Sequence, residues 1–238
     1  MADSLSDMRR QGAREFMRGA RDIAPIVAAT IPFGLVFGAL ASHQGLSAAD
    51  GVLLSALTFA GASQFAALEF WRHPLPFLAI FLSVMAVNLR LLLYSAALGR
   101  RIEHWPPLVR YSLLGLLSDP IYALAELKGG ARLSAAYYSG LSVPLYVNWV
   151  VTTAAGFVFG NLVTRPEAIG LDFVVIAYFI HLLGGFRERP NALWVILGSA
   201  AGSVAAYLTL GSPWHFAGGA FAGMAAAVAL TRPERSKA

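Results

Sequence analysis

Thr58-Phe-Ala-Gly-Ala-Ser-Gln-Phe-Ala-Ala-Leu68 lies inside an apolar segment, residues 51–71, long enough to cross a bilayer, yet its centre is Gly61, Ala62, Ser63 and Gln64. A glutamine amide without partners in hydrocarbon costs about 4–8 kcal/mol on an alkane scale. Another helix, a water-filled cavity or a substrate must therefore satisfy it. Small residues beside it let a second backbone approach closely. Polar, glycine-containing breaks at membrane depth are also the elements from which transporters build sites.

The rest of the chain has the same character. Of its 238 residues, 57% are hydrophobic and 13% charged, the latter about half the ~25% usual in globular domains. The charges cluster between apolar runs, which describes an integral membrane protein. The net charge of +5 does not point to nucleic acid. Its basic residues sit at the N-terminus (Arg9, Arg10, Arg14, Arg18, Arg21), in short loops and at the C-terminus, as the positive-inside rule expects. The absence of cysteine excludes disulfides, thiol chemistry and cysteine metal sites. The first twenty residues lack the apolar core of a cleavable signal. No phosphate-binding loop of the G-x-x-x-x-G-K-[ST] type and no zincin spacing occurs, so neither ATP hydrolysis nor a cofactor is expected.

A crossing helix needs about 20 mostly apolar residues. Eight segments qualify: 23–42, 51–71, 75–99, 106–127, 133–160, 170–186, 191–210 and 213–230. The expected fold is all-α, a polytopic membrane helix bundle in which some segments are broken or re-entrant. Residues 22–231 read as one transmembrane domain, preceded by a basic segment at 1–21 and followed by a short basic tail at 232–238. Residues 1–21 read equally as an interfacial helix or a solvated tail. Eight straight crossings would put Arg100 and Arg101 on the outside, against the charge rule. A re-entrant 51–71 would move the pair inside, and a second irregular segment would then be needed. Segment 106–127 qualifies, because Pro120 interrupts it. A weak repeat is also visible: Gly34-Leu-Val-Phe-Gly38 and Gly156-Phe-Val-Phe-Gly160 are each followed twelve residues later by an acid, Asp50 and Asp172.

Polar residues inside these segments are the candidate site. Besides Ser63 and Gln64, Asn88, Arg90 and Tyr94 lie mid-segment; Ser83, Arg90 and Tyr94 share one helix face, and Asn88 and Ser95 another. An arginine at mid-bilayer costs about 2.5–3.5 kcal/mol on insertion scales, so it should face the interior or water. It reads either as a substrate contact or as a cap on the carbonyls of a broken helix. Asp119, next to Pro120, reads as an ammonium or proton site, or as the structural partner of Arg90. Asn148 reads first as a helix–helix hydrogen bond and second as a substrate contact. Trp149 reads as packing, Asp172 as a helix cap and His181 as structural.

Together, Pro32-Phe-Gly-Leu-Val-Phe-Gly38, Phe59-Ala-Gly-Ala-Ser-Gln-Phe-Ala-Ala67, Asn88-Leu-Arg-Leu-Leu-Leu-Tyr-Ser95 and Gly170-Leu-Asp-Phe173 resemble the AzlC/YgaZ family, the large subunits of branched-chain amino acid exporters. Asp119-Pro120 departs from the two successive acids expected there. The resemblance implies a non-enzymatic, multi-pass protein of the cell inner membrane exporting valine, leucine or isoleucine, with methionine as a further candidate. It also implies a separate small AzlD/YgaH-type membrane subunit. Bottom-up chemistry is compatible with this: Arg90 with Ser63 and Gln64 at a helix break for the carboxylate, Asp119 for the ammonium, Phe59 and Phe65 for the side chain. The absence of an ATP motif favours a proton gradient as the driving force. The competing readings are a channel, a non-transporting scaffold, and an intramembrane serine protease using Ser63 with His181, whose G-A-S-Q context lacks the usual G-x-S-G.

Overall fold

The computed structural model describes residues 2–72, 74–162, 180, 184, 191–211 and 214–230. Among them the chain is helical, without strands: α1 (Ala2–His43), α2 (Ala48–Leu57), α3 (Gly61–Glu69), α4 (Phe77–Ile102), α5 (Pro107–Leu114), α6 (Asp119–Lys128), α7 (Ala135–Leu162), α8 (Ala192–Leu210) and α9 (Trp214–Leu230). The expected all-α class holds among the described residues. Among the described residues four helices are long and apolar enough to cross a membrane, within Arg9–His43, Phe77–Ile102, Ala135–Gly160 and Ala192–Leu210. Segments 51–71 and 106–127 are each split into two short helices, and 170–186 lies almost wholly outside the described residues. Helices of eight to ten residues span only about 12–15 Å, half of a hydrocarbon core.

The described chain divides into two units. One holds the residues up to Gln64 and those from Asn88 through α7; the other holds Phe65–Val87 with α8 and α9. In the first unit α1 and α7 lie side by side. Gly19 meets the backbone of Gly140 and Leu141, Gly38 that of Gly156 and Phe157, and Gly160 that of Ala39. The paired numbers rise together, so the two helices run parallel. A side chain on Gly156 would collide with the Leu35 carbonyl; only small residues permit this approach. The two Gly-x-x-x-Gly copies of the weak repeat therefore touch each other. Asp50 caps α2 in a capping box with Ser47, and Asp172 lies outside the described residues. In the second unit α8 and α9 pair antiparallel, with Gly202 against Gly218 and Gly198 against Ala226, and Asn191 Nδ2 donates to the Leu230 carbonyl at 3.1 Å.

Residues 2–21 are helical and continuous with the apolar stretch that follows them. They are the first half of α1, seated on α7 through Phe16, Gly19 and Ala20. Here the basic end of the unit is tied together. Arg18 lies 4.4 Å from the Tyr137 ring centroid and donates to the Lys128 carbonyl at 2.6 Å. Lys128 and the Tyr137 hydroxyl both hold Asp22, at 2.8 Å. Arg101 pairs with Glu126 and donates to the carbonyls of Ala125 and Gly130. The end of α4 thus meets the end of α6 and the start of α7, which places Arg101 with Arg18 and Lys128. Both segments expected to be irregular, 51–71 and 106–127, are broken.

The chain has no cysteine, so single-cysteine labelling in intact cells tests this directly. Glu103→Cys and Gly130→Cys should react from one side of the membrane and His43→Cys from the other; labelling of all three from one side would contradict the placement. Gly156→Val should lower stability by about 1–3 kcal/mol through overpacking, read as a lower melting temperature in detergent. Gly12, which has open space around its α-carbon, should tolerate alanine without loss.

Candidate functional site

The break in 51–71 falls at Thr58-Phe59-Ala60, just before the Gly61–Gln64 turn on which the sequence placed it. Gly61 opens α3 against the Trp149 indole, where a side chain would come within 2.9 Å of the ring. Gln64 is 1% exposed. Its Nε2 donates to Ser55 Oγ at 3.2 Å, and its Oε1 accepts from Trp149 Nε1 at 2.8 Å. Ser55 in turn shares a 2.9 Å hydrogen bond with Thr153. Tyr146 of α7 satisfies the Ala56 carbonyl at 2.9 Å, and its ring meets Phe59 edge-on at 5.4 Å. The amide that seemed costly in the sequence is fully partnered, so Gln64 braces the broken segment to α7.

Ser63 points elsewhere. Its hydroxyl donates to the Ala60 carbonyl at 2.8 Å and accepts from Asn88 Nδ2 at 3.2 Å. This bond joins α3 to α4, and it leaves the Asn88 Oδ1 buried without a partner. A serine committed to a backbone carbonyl and an asparagine is poorly placed as a nucleophile, and His181 lies outside the described residues.

The second cluster joins α4 to α6. Arg90 Nη2 is 3.1 Å from Asp119 Oδ2, and the Tyr94 hydroxyl donates to Asp119 Oδ1 at 3.1 Å. Tyr94 stacks on Tyr122, with centroids 4.2 Å apart. The helix-face reading joined Arg90 and Tyr94 correctly; Ser83 and Ser95 instead turn back onto their own helix, at Ile80 and Leu91. Asp119 opens α6 with Pro120 in its first turn, where a missing N–H costs nothing. Of the two structural roles weighed for Arg90, the geometry gives ion pairing and not carbonyl capping. The Arg90 and Asp119 side chains remain 34% and 31% exposed, so this pair is reachable where the Gln64 brace is sealed.

Asn148 ties α7 to α1, donating to the Val27 carbonyl at 3.3 Å and Thr30 Oγ1 at 3.2 Å. The structure therefore brings Arg90, Tyr94 and Asp119 together and Ser63 with Asn88. It places Gln64 and Asn148 in separate contacts. Ser55, Thr153 and Tyr122 have no sequence signal beyond their polarity, and Trp149 reads from sequence only as packing. Among the described residues no cluster of acids and histidines could hold a metal ion.

The model of the AzlC protein family matches residues 25–163, which contain all of these side chains. The inner membrane protein YgaZ of Escherichia coli K12 is 30% identical over 201 residues, covering 80% of this chain and 82% of that protein. An uncharacterized membrane protein of Archaeoglobus fulgidus is 33% identical over 170 residues, 71% of this chain and 74% of its own length. The branched-chain amino acid transport protein AzlC of Bacillus subtilis is 28% identical over 158 residues, 66% of this chain and 61% of its own. No solved structure matches.

Trp149→Phe removes the indole donor and leaves the Gln64 carbonyl buried and unpaired. The expected loss is about 1–3 kcal/mol of stability, measured as a lower melting temperature. Gln64→Leu leaves the buried Trp149 indole N–H without its acceptor in turn, so it should cost a comparable amount, and the double variant should lose less than the sum of the two single ones.

Proposed function

This chain belongs to the AzlC family, and we propose that it is the large subunit of a secondary transporter that exports branched-chain amino acids. As a multi-pass membrane protein of a family linked to such transport, it needs a site for a zwitterion with an apolar side chain. One observation carries the reading. At mid-length of a membrane helix, Arg90 and Asp119 form a cation–anion pair that is one-third open. Charges at this depth are expensive and mark substrate or ion pathways. In this reading Arg90 takes the carboxylate and Asp119 the ammonium, with Tyr94 orienting Asp119. Ser63 and Asn88 line the polar side, and Phe59 supplies apolar contact. Gln64 and Asn148 hold the framework.

Two re-entrant pairs complete the proposal. α1 leaves the basic end and α4 returns to it, so α2 and α3 enter and leave by one side. Arg101 and Lys128 lie at the same end, so α5 and α6 do likewise. Half-helices meeting near mid-bilayer supply free backbone groups where a substrate can use them. The finer assignments are valine, leucine or isoleucine, with methionine as a further candidate, as substrate, outward transport, a proton gradient as driving force, and a small AzlD/YgaH-type partner subunit.

Efflux of labelled valine from cells expressing the chain with its small partner tests the reading. Export should require both subunits and collapse with a protonophore. Arg90→Ala should reduce it by about tenfold or more, a loss of at least one charged hydrogen bond, while the chain still reaches the membrane at normal levels. Normal export by that variant would remove Arg90 from the site.

A further inference from the structure

The guanidinium of Arg90 is only half used. Its side-on edge presents two parallel donors, Nε–H and Nη2–H, the fork that normally grips both oxygens of one carboxylate. Here Nη2 meets Asp119 Oδ2 at 3.1 Å, while Nε is buried without a hydrogen-bond partner. The reason is visible in Asp119: its other oxygen is taken by the Tyr94 hydroxyl at 3.1 Å. The carboxylate is shared between two helix-borne donors, and in this arrangement it engages one arm of the fork. Next to it, Ser118 stands at the N-cap of α6 in extended conformation, yet its hydroxyl makes no cap bond and is also buried without a partner. Buried unpaired polar atoms are few in folded proteins. Two of them, a donor and a hydroxyl, therefore flank an ion pair that is itself one-third open.

We infer that Arg90–Asp119 is an exchangeable ion pair: the carboxylate of a zwitterionic amino acid replaces Asp119 on the Arg90 fork and accepts from Ser118, while its ammonium replaces Arg90 on Asp119. The inference rests on the transport reading above and deepens it, because the site then demands both charges. Opening the pair separates two opposite charges at low dielectric. A ligand that carries both charges compensates both partners, and a ligand that carries one leaves the other partner unpaired. Tyr94 is the positioning residue, since its hydroxyl keeps Asp119 from closing over the fork.

Calorimetric titration of the full chain together with its small partner in lipid nanodiscs tests the exchange with three ligands that share one side chain: leucine, isoamylamine (no carboxylate) and 4-methyl-2-oxopentanoate (no ammonium). Leucine should bind, and each single-charge analogue should bind at least about tenfold more weakly. Ser118→Ala should weaken leucine binding by about tenfold without lowering the melting temperature, as expected for one lost hydrogen bond to a charged group. Arg90→Lys keeps the charge but not the fork, and should also weaken it. If leucine binds and either analogue matches it, the exchange is wrong and the transport reading stands. If none of the three binds, the amino acid assignment falls, and the exchange with it.

Discussion

Backbone contact between α1 and α7, through Gly19, Gly38, Gly140 and Gly156, is the constraint on which the first unit is built. Lipid is as apolar as leucine, so helices in a membrane gain little by hiding apolar side chains. They gain by approaching closely and by satisfying polar groups. Glycine at the crossing points gives the approach. It also holds α7 so that two of its faces reach their neighbours: Asn148 toward α1 on one, and Tyr146, Trp149 and Thr153 toward the broken segment on the other. Without this scaffold the Ala56 carbonyl and the Gln64 side-chain carbonyl of the broken segment would lose their partners.

Two polar groups of similar appearance in the sequence turn out to be opposites. The Gln64 cluster is closed: each side-chain nitrogen and oxygen of Gln64, Ser55, Thr153 and the Trp149 indole has a partner, and Gln64 is sealed from outside. Fully satisfied networks in low dielectric rigidify a fold. The Arg90 cluster is open: its charges are balanced, but its hydrogen bonds are not. Stability selects the first kind of arrangement and binding requires the second. A site must keep capacity for a ligand, and a brace must not. The basic end adds a third use of polarity. There Arg18, Asp22, Arg101, Glu126, Lys128 and Tyr137 clasp four helices where water is near, and the charges keep that end on one side of the membrane.

Much of this was legible in the residues. Composition and segment length established a polytopic helical membrane protein, because the hydrocarbon core admits little else. The charge rule required two irregular segments, and both exist. The residues that proved structurally important, Ser63, Gln64, Arg90 and Asp119, stand out in the sequence because polarity inside an apolar run is costly wherever it occurs. The quoted motifs that carry Ser63, Gln64 and Arg90 also resembled the family to which the chain belongs. Less legible was the number of crossings, since 51–71 and 106–127 are long enough to span but are broken at Thr58–Ala60 and just before Asp119. Apolarity says that a segment enters the membrane, not that it leaves on the other side.

The sequence by itself determined that Gln64, Arg90 and Asp119 each needed a partner, because the penalty for a lone polar group depends only on the group and its surroundings. Tertiary structure alone decided which partner each received. Trp149 is 85 residues from Gln64, and Asp119 lies across a helix break from Arg90. No local pattern couples such positions; they meet only because the helices that carry them meet. That choice separates the brace from the open ion pair, and with it the framework from the candidate site.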